Sequence, residues 1–252
     1  MHIMLVNDDG IRAPGIRAMC AAAAGAGHRV SICAPDGERS AVSHMFSFGR
    51  PLHVTRVEVE HAEIAYASDG SPADCARLGL FLIPGVDFVI SGINNGENYG
   101  GECIYSGTVA SATEASMRGV PALAVSFARF GAEQSQYETT ARLAMKVVDW
   151  MLLHPLPRGA IYSLNVPDLP EEQIRGFRMA TLAKFLLDEP RYLERNGKDG
   201  PEYIYATGPE EEDLDPGTDI QLLKSGFATL TPLTWDIRMA GELPSCDDLL
   251  LR

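Results

Sequence analysis

The sequence predicts an α/β fold with a mainly parallel sheet covered by helices on both faces. Three observations carry this. Short apolar runs alternate with helical stretches through the first two-thirds of the chain. Those runs are continuously apolar, as strands buried on both faces are. At 252 residues and 46% hydrophobic composition, the chain can bury a full core as a single domain.

The elements follow in order. Ile3–Val6 reads as a buried strand. Gly15–Ala26 is Ala-rich and reads as a helix ended by Gly25 and Gly27. Arg29–Cys33 is the second strand. Pro72–Leu82 reads as a helix, with Pro72 in its first turn and Ser71 as its cap. Val86–Ile90 is a strand, Thr108–Arg118 a helix stopped by Gly119, and Ala122–Ser126 a strand. A long helix over Tyr137–Leu153 and a strand over Ala160–Asn165 complete the pattern. The last third differs. Phe177–Ala183, Tyr203–Thr207 and Phe227–Thr231 read as strands between charged, Gly- and Pro-containing stretches. The acidic run Glu210–Asp213 reads as a solvated loop. A core over about residues 1–182 with a β-rich extension over about 183–252 is expected, the extension serving as a hairpin in subunit contacts.

Composition narrows the function. The net charge of -13 argues against polymeric nucleic acid and anionic membrane surfaces as partners. A small anionic substrate stays open, because a bound divalent cation inverts the local charge. The five cysteines include no Cys-x-x-Cys pair, which argues against a disulfide framework or structural zinc and fits a reducing cytoplasm. The first residues lack the basic and long apolar regions of a signal peptide. The strongest apolar run, Leu78–Ile83, is far short of a membrane span.

In an open parallel sheet, ligands bind beyond the carboxyl ends of the strands. Three polar segments follow predicted strands: Asn7-Asp8-Asp9-Gly10, Ala34-Pro35-Asp36-Gly37-Glu38-Arg39-Ser40, and the Gly-rich stretch Ser91–Gly101. Adjacent carboxylates repel unless a cation lies between them or one keeps its proton. Gly10 permits a turn that swings Asp8 and Asp9 toward one point. Two readings of the pair stand: caps for the helix near Gly15, or ligands of a cation. The oxygen-only donor set favours a hard cation, Mg²⁺ or Mn²⁺, over zinc or copper. The third segment leads through Tyr105-Ser106-Gly107-Thr108 into a helix whose N–H groups and dipole offer a seat for phosphate. A plain Ser/Thr cap is the alternative there. His44 is open as a proton donor to a leaving alcohol or as a surface histidine. Arg39 is open as a phosphate contact or as a partner of Asp36 or Glu38, and Glu114 as a buried or a surface carboxylate.

These segments, in their order and spacing, resemble the SurE (survival protein E) nucleotidases. Ile3–Gly10 with Ala13-Pro14-Gly15-Ile16 resembles the opening signature. Ala34-Pro35-Asp36 through Arg39-Ser40 resembles the second motif, Ser91-Gly92-Ile93-Asn94 with Gly96, Asn98 and Gly100 the third, and Tyr105–Ala110 the fourth. Gly217-Thr218-Asp219 and Thr231-Pro232-Leu233 resemble the C-terminal landmarks. Gly37-Glu38 stands where many members are more basic.

The resemblance implies a Rossmann-like core and a C-terminal extension exchanged between subunits, giving a homodimer or homotetramer. It implies one divalent metal ion per subunit, Mg or Mn, and hydrolysis of nucleoside 5′- and 3′-monophosphates, to which some members add short polyphosphate. Metal ligands would fall on Asp8, Asp9, Ser40 and Asn94, with Asp8 and Asp9 catalytic. Phosphate contacts would fall on Asn98, Ser106, Gly107 and Thr108. Attack by a metal-activated water is expected. An aspartyl-nucleophile phosphatase fits poorly, because the two aspartates are adjacent rather than spaced Asp-x-Asp. A nucleotide sensor without catalysis is the alternative from another class. A dehydrogenase fits poorly too, since no Gly-x-Gly-x-x-Gly turn follows the first strand.

Overall fold

The computed structural model describes residues 1–184, 192–198, 200–205 and 215–236. The first half builds β1 (His2–Val6), α1 (Pro14–Gly25), β2 (Arg29–Pro35), β3 (Val54–Val57), β4 (Ile64–Ser68), α2 (Pro72–Leu82) and β5 (Phe88–Asn95). Then come α3 (Gly107–Met117), β6 (Ala122–Phe127), α4 (Gln134–Leu153) and β7 (Ala160–Val166). The last part holds β8 (Phe177–Met179), β9 (Tyr192–Asn196), β10 (Pro201–Tyr205), α5 (Asp219–Lys224) and β11 (Ala228–Thr234).

Nine strands form one sheet in the order β3-β4-β2-β1-β5-β6-β7-β11-β8. The six from β4 to β7 are mutually parallel, while β3 and β11 run antiparallel to β4 and β7. This is the expected mainly parallel sheet. Helices α1 and α4 pack together on one face, α2 and α3 on the other. All five residues of β1 are buried, as its unbroken apolar run requires. The chain builds outward from β1 to β2 on one side, then returns to place β5 on the other. The reversal lies between β1 and β5, where open α/β sheets form their ligand crevice.

The helix starts follow local chemistry. Ser71 caps α2 in a reciprocal capping box with Asp74, and Pro72 opens the helix, as expected. Helix α1 starts at Pro14, and its capping residue is Ala13, which has no side-chain cap bond. The reading of Asp8 or Asp9 as caps of that helix is therefore corrected.

Four elements have no clear sequence signal. Edge strand β3 is mostly exposed, β9 wholly so, and neither shows a buried-face alternation. Strand β4 has only five residues and α5 only six, too short for a clear periodic pattern. Strand β5 starts two residues later than expected and runs through Asn95, with a register shift between Ser91 and Asn94. The expected loop from Ser91 thus opens as a bulged continuation of the strand.

In the last third, only Phe177–Met179 of Phe177–Ala183 is strand. Strand β11 lies in the stretch read as an extension, yet it is inserted in the main sheet between β7 and β8. Beyond that sheet, β9 and β10 form a separate antiparallel hairpin. The acidic run Glu210–Asp213, Cys246 and the end of the expected Tyr203–Thr207 strand lie outside the described residues. Among the described residues, no helix is long and apolar enough to cross a membrane.

Candidate active site

The three predicted segments and the start of α3 converge at the β1–β5 crevice. Gly10 turns the chain after β1 with φ +98°, and the Asn7 amide closes the turn by donating to the Gly10 carbonyl at 2.9 Å. The Arg39 N–H donates to the Asp8 carbonyl at 2.8 Å, and the Ile11 N–H to the Pro35 carbonyl at 2.8 Å. Those bonds pin the second segment onto the first.

Asp8 is buried against the start of α3. It accepts from the Thr108 N–H at 3.1 Å and from the Thr108 hydroxyl at 2.5 Å. Gly107 makes this approach possible: a Cβ there would lie 3.0 Å from Asp8 Oδ2 and 2.8 Å from the Pro72 ring. Asp9 turns to the other wall of the crevice, where the Asn95 N–H donates to it at 3.1 Å. Asn95 also accepts from the Gly131 N–H and the Tyr137 hydroxyl, so its position is fixed from the α4 side.

Both carboxyls are pushed above the ordinary range. Burial raises Asp8 despite the Thr108 bonds. Burial, then the charge of Asp8, raises Asp9 to about 7. Glu38 adds further negative charge near both. Among the described residues, no Lys, Arg or His side chain pairs with either aspartate. No set of three His, Cys, Asp or Glu side chains gathers to hold a metal there or elsewhere in those residues. The crevice offers two carboxylates and neutral oxygens instead.

Asn94 donates its amide to the Gly96 carbonyl at 2.8 Å, and its Oδ1 lies 3.4 Å from Thr108 Oγ1, at the Asp8 end of α3. Ser40 stands on the same rim, exposed, with its hydroxyl donating to Glu38 at 2.7 Å. Ser106 caps α3, accepting from the Val109 N–H at 3.0 Å, so the cap reading holds. Asn98 is buried beside the crevice. Its amide donates to Ser126 at 2.8 Å, and its backbone exchanges two bonds with the Asn165 side chain. Asp219 reaches across to accept from the Gly100 N–H at 2.9 Å, which gives that C-terminal landmark its place.

The remaining candidates resolve differently. Arg39 pairs with Asp36 at 2.8 Å. His44 Nε2 meets Glu114 at 2.9 Å and stacks on Trp235. Glu114 lies six residues beyond Thr108, about 9 Å along the helix axis. His44 is thus engaged with Glu114 rather than with Asp8 or Asp9. Asn95, Tyr137 and Glu38 join the site without having stood out as candidates in the sequence. Asn95 differs from its neighbour Asn94 only in where the bulge aims it, which no sequence pattern displays.

The model of the family Survival protein SurE matches residues 3–189, a span that contains all of the crevice. This chain belongs to the SurE family. Relatives named 5'-nucleotidase SurE include one from Aeromonas hydrophila, 38% identical over 249 residues and covering 96% of each chain. Another, from Clostridium botulinum, is 35% identical over 253 residues and covers 100% of both. The crystal structure of the SurE protein from Aquifex aeolicus superposes with a TM-score of 0.78 at 33% identity, covering 94% of this chain and 95% of that one. The SurE architecture expected from the four motifs is thus the one observed.

Proposed function

We propose that this SurE chain is a divalent-metal-dependent phosphomonoesterase that releases phosphate from nucleoside monophosphates. The observation that carries this is the Asp8–Asp9 pair, Asp8 buried and Asp9 half-buried, uncompensated by any cationic side chain among the described residues, beside the N-terminus of α3. The names of the relatives supply the nucleotide as substrate.

The residues fit a hard cation on two grounds. The donors are all oxygens, which suits Mg²⁺ or Mn²⁺. The Asn7 Oδ1 atom, in the turn that carries the aspartates, is buried without a partner. Asp8, Asp9, Ser40 and Asn94 would hold one ion per subunit. When bound, that ion supplies Lewis acidity to the phosphoryl group and activates water.

The chain's own groups do the rest. Thr108 orients Asp8, and Asn95 orients Asp9, so both carboxylates are fixed before substrate arrives. The Gly107 N–H has no acceptor among the described residues and lies at the positive end of α3, suited to an equatorial phosphoryl oxygen. Ser106 keeps its hydroxyl proton for the same oxygens. Asn98 shapes the floor from its bonds to Ser126 and Asn165. Asp8 or Asp9 would orient the attacking water or accept its proton. Activity on 3′-monophosphates and short polyphosphate belongs to the same proposal, because the seat recognises a terminal phosphoryl group.

Release of phosphate from AMP with added Mn²⁺, abolished by EDTA and restored by metal, is the expected result. Tight AMP binding with no release of phosphate would leave a sensor instead.

Subunit association through the hairpin is part of the proposal. Tyr192, Leu193, Tyr203 and Tyr205 are each more than half exposed on its two strands. Light scattering should find a dimer or tetramer; a monomer would refute it. The four free, buried cysteines among the described residues suit a cytoplasmic setting.

A further inference from the structure

Phe130 lies in the turn between β6 and α4, and its side chain is 75% exposed. An exposed phenylalanine needs no special account when it stands alone on a surface. This one is tied to the crevice. The tip of its ring rests on Gly96, where a Cβ would lie 2.8 Å from Cζ and 2.9 Å from Cε1. The Gly96 carbonyl is held by the Asn94 amide at 2.8 Å, and Asn94 Oδ1 lies 3.4 Å from the Thr108 hydroxyl that bonds Asp8.

The turn itself is fastened on both sides of the ring. The Gly131 N–H donates to Asn95 at 2.8 Å, and Arg129 pairs with Asp168 at 3.1 Å. Phe130 is thus seated by the same strand end that carries Asn94, and it has no ring partner among the described residues. A phosphoryl group at the start of α3 leaves the rest of its ester pointing out over the rim. A fixed, flat, apolar ring at that rim is what a nucleobase requires.

We infer that Phe130 is the platform on which the base of a nucleoside monophosphate stacks, making it a specificity-determining residue of this site. The inference rests on the nucleotidase reading above. Stacking accepts any base, because every base has a π-face, and it favours purines through their larger area. Discrimination is then mainly between phosphomonoesters with a base and those without.

The test compares AMP with ribose 5-phosphate in the wild type, Phe130→Ala and Phe130→Trp, all with Mn²⁺. Phe130→Ala should lose about ten- to hundredfold in kcat/KM on AMP, mostly through KM, with ribose 5-phosphate changed less than about twofold. Phe130→Trp should restore AMP turnover, and AMP should quench its added indole fluorescence relative to wild type. Unchanged AMP kinetics in Phe130→Ala overturn the platform while leaving the nucleotidase reading intact. Equal losses on both substrates overturn it too, by making Phe130 a support of the rim. A wild type inactive on AMP defeats the nucleotidase reading; AMP quenching of Phe130→Trp would then uphold the platform, and absence of quenching would overturn it.

Discussion

Helix α3 carries a carboxylate cluster at each end, and the two are resolved in opposite ways. Near its C-terminus, burial alone would raise the Glu114 carboxyl, but His44, Arg77 and Arg118 hold it below the ordinary range. At its N-terminus, buried Asp8 and half-buried Asp9 meet only hydrogen-bond donors, and both are pushed up. The described chain supplies three basic partners to one cluster and none to the other. A carboxylate whose partners are built in is structural. On the proposed function, a pair left without cations would take one from solution, and that difference would mark which end of α3 does chemistry.

The largest effect should come from removing charge at the uncompensated end. Asp8→Asn should lower turnover of AMP by more than about a hundredfold, beyond what outer-shell changes cost. Circular dichroism should be unchanged and the melting temperature in EDTA equal or higher, because a buried repulsion is relieved. A clear drop in melting temperature would mean that Asp8 is structural after all.

The metal-free protein offers a second way to break the contrast. Folded Asp9 keeps its proton up to about pH 7, whereas the unfolded chain releases it near 3.8. Between those values the unfolded state holds fewer protons, so stability falls as pH rises and levels off above 7. The loss is at most about 4 kcal/mol. Melting temperatures in EDTA across pH 4–8 should fall more in the wild type than in Asp9→Asn, which keeps the raised Asp8, and saturating Mn²⁺ should remove the difference. Parallel curves for the two proteins would contradict it.

Thr108→Val sharpens the comparison by removing one donor to Asp8 and leaving the charge. It should weaken Mn²⁺ affinity or activity by about ten- to hundredfold. At the other end, Glu114→Gln should cost roughly 1–3 kcal/mol of stability, moderated by the partial exposure of Arg77 and Arg118. Its turnover with saturating Mn²⁺ should stay within about threefold of wild type, since changes to structure distant from the reacting groups act mainly on stability. Denaturant titration and steady-state kinetics measure the two effects.

The contrast also explains what was legible in the sequence. The parallel sheet follows from buried apolar runs such as Ile3–Val6, because a strand covered on both faces has little choice of composition. Asp8 and Asp9 are visible because adjacent carboxylates after such a strand are costly without a reason. Glu114 is ambiguous because its partners come from three places, Arg77 on α2, His44 in a loop and Arg118 past the helix end. The bulge that turns Asn95 toward Asp9 depends on tertiary pairing with β6. The different roles of the neighbours Asn94 and Asn95 are set there rather than by composition. Edge strand β3 and hairpin strand β9 escape notice because neither buries a face to impose a pattern.

The central claim is tested most directly by calorimetric titration of Mn²⁺ into metal-free wild type and into Asp8→Asn and Asp9→Asn at pH 8, above the Asp9 value of about 7. The account predicts one ion per chain in the wild type and loss of that binding in both variants. Undiminished binding in the variants, or no binding in the wild type, would contradict it.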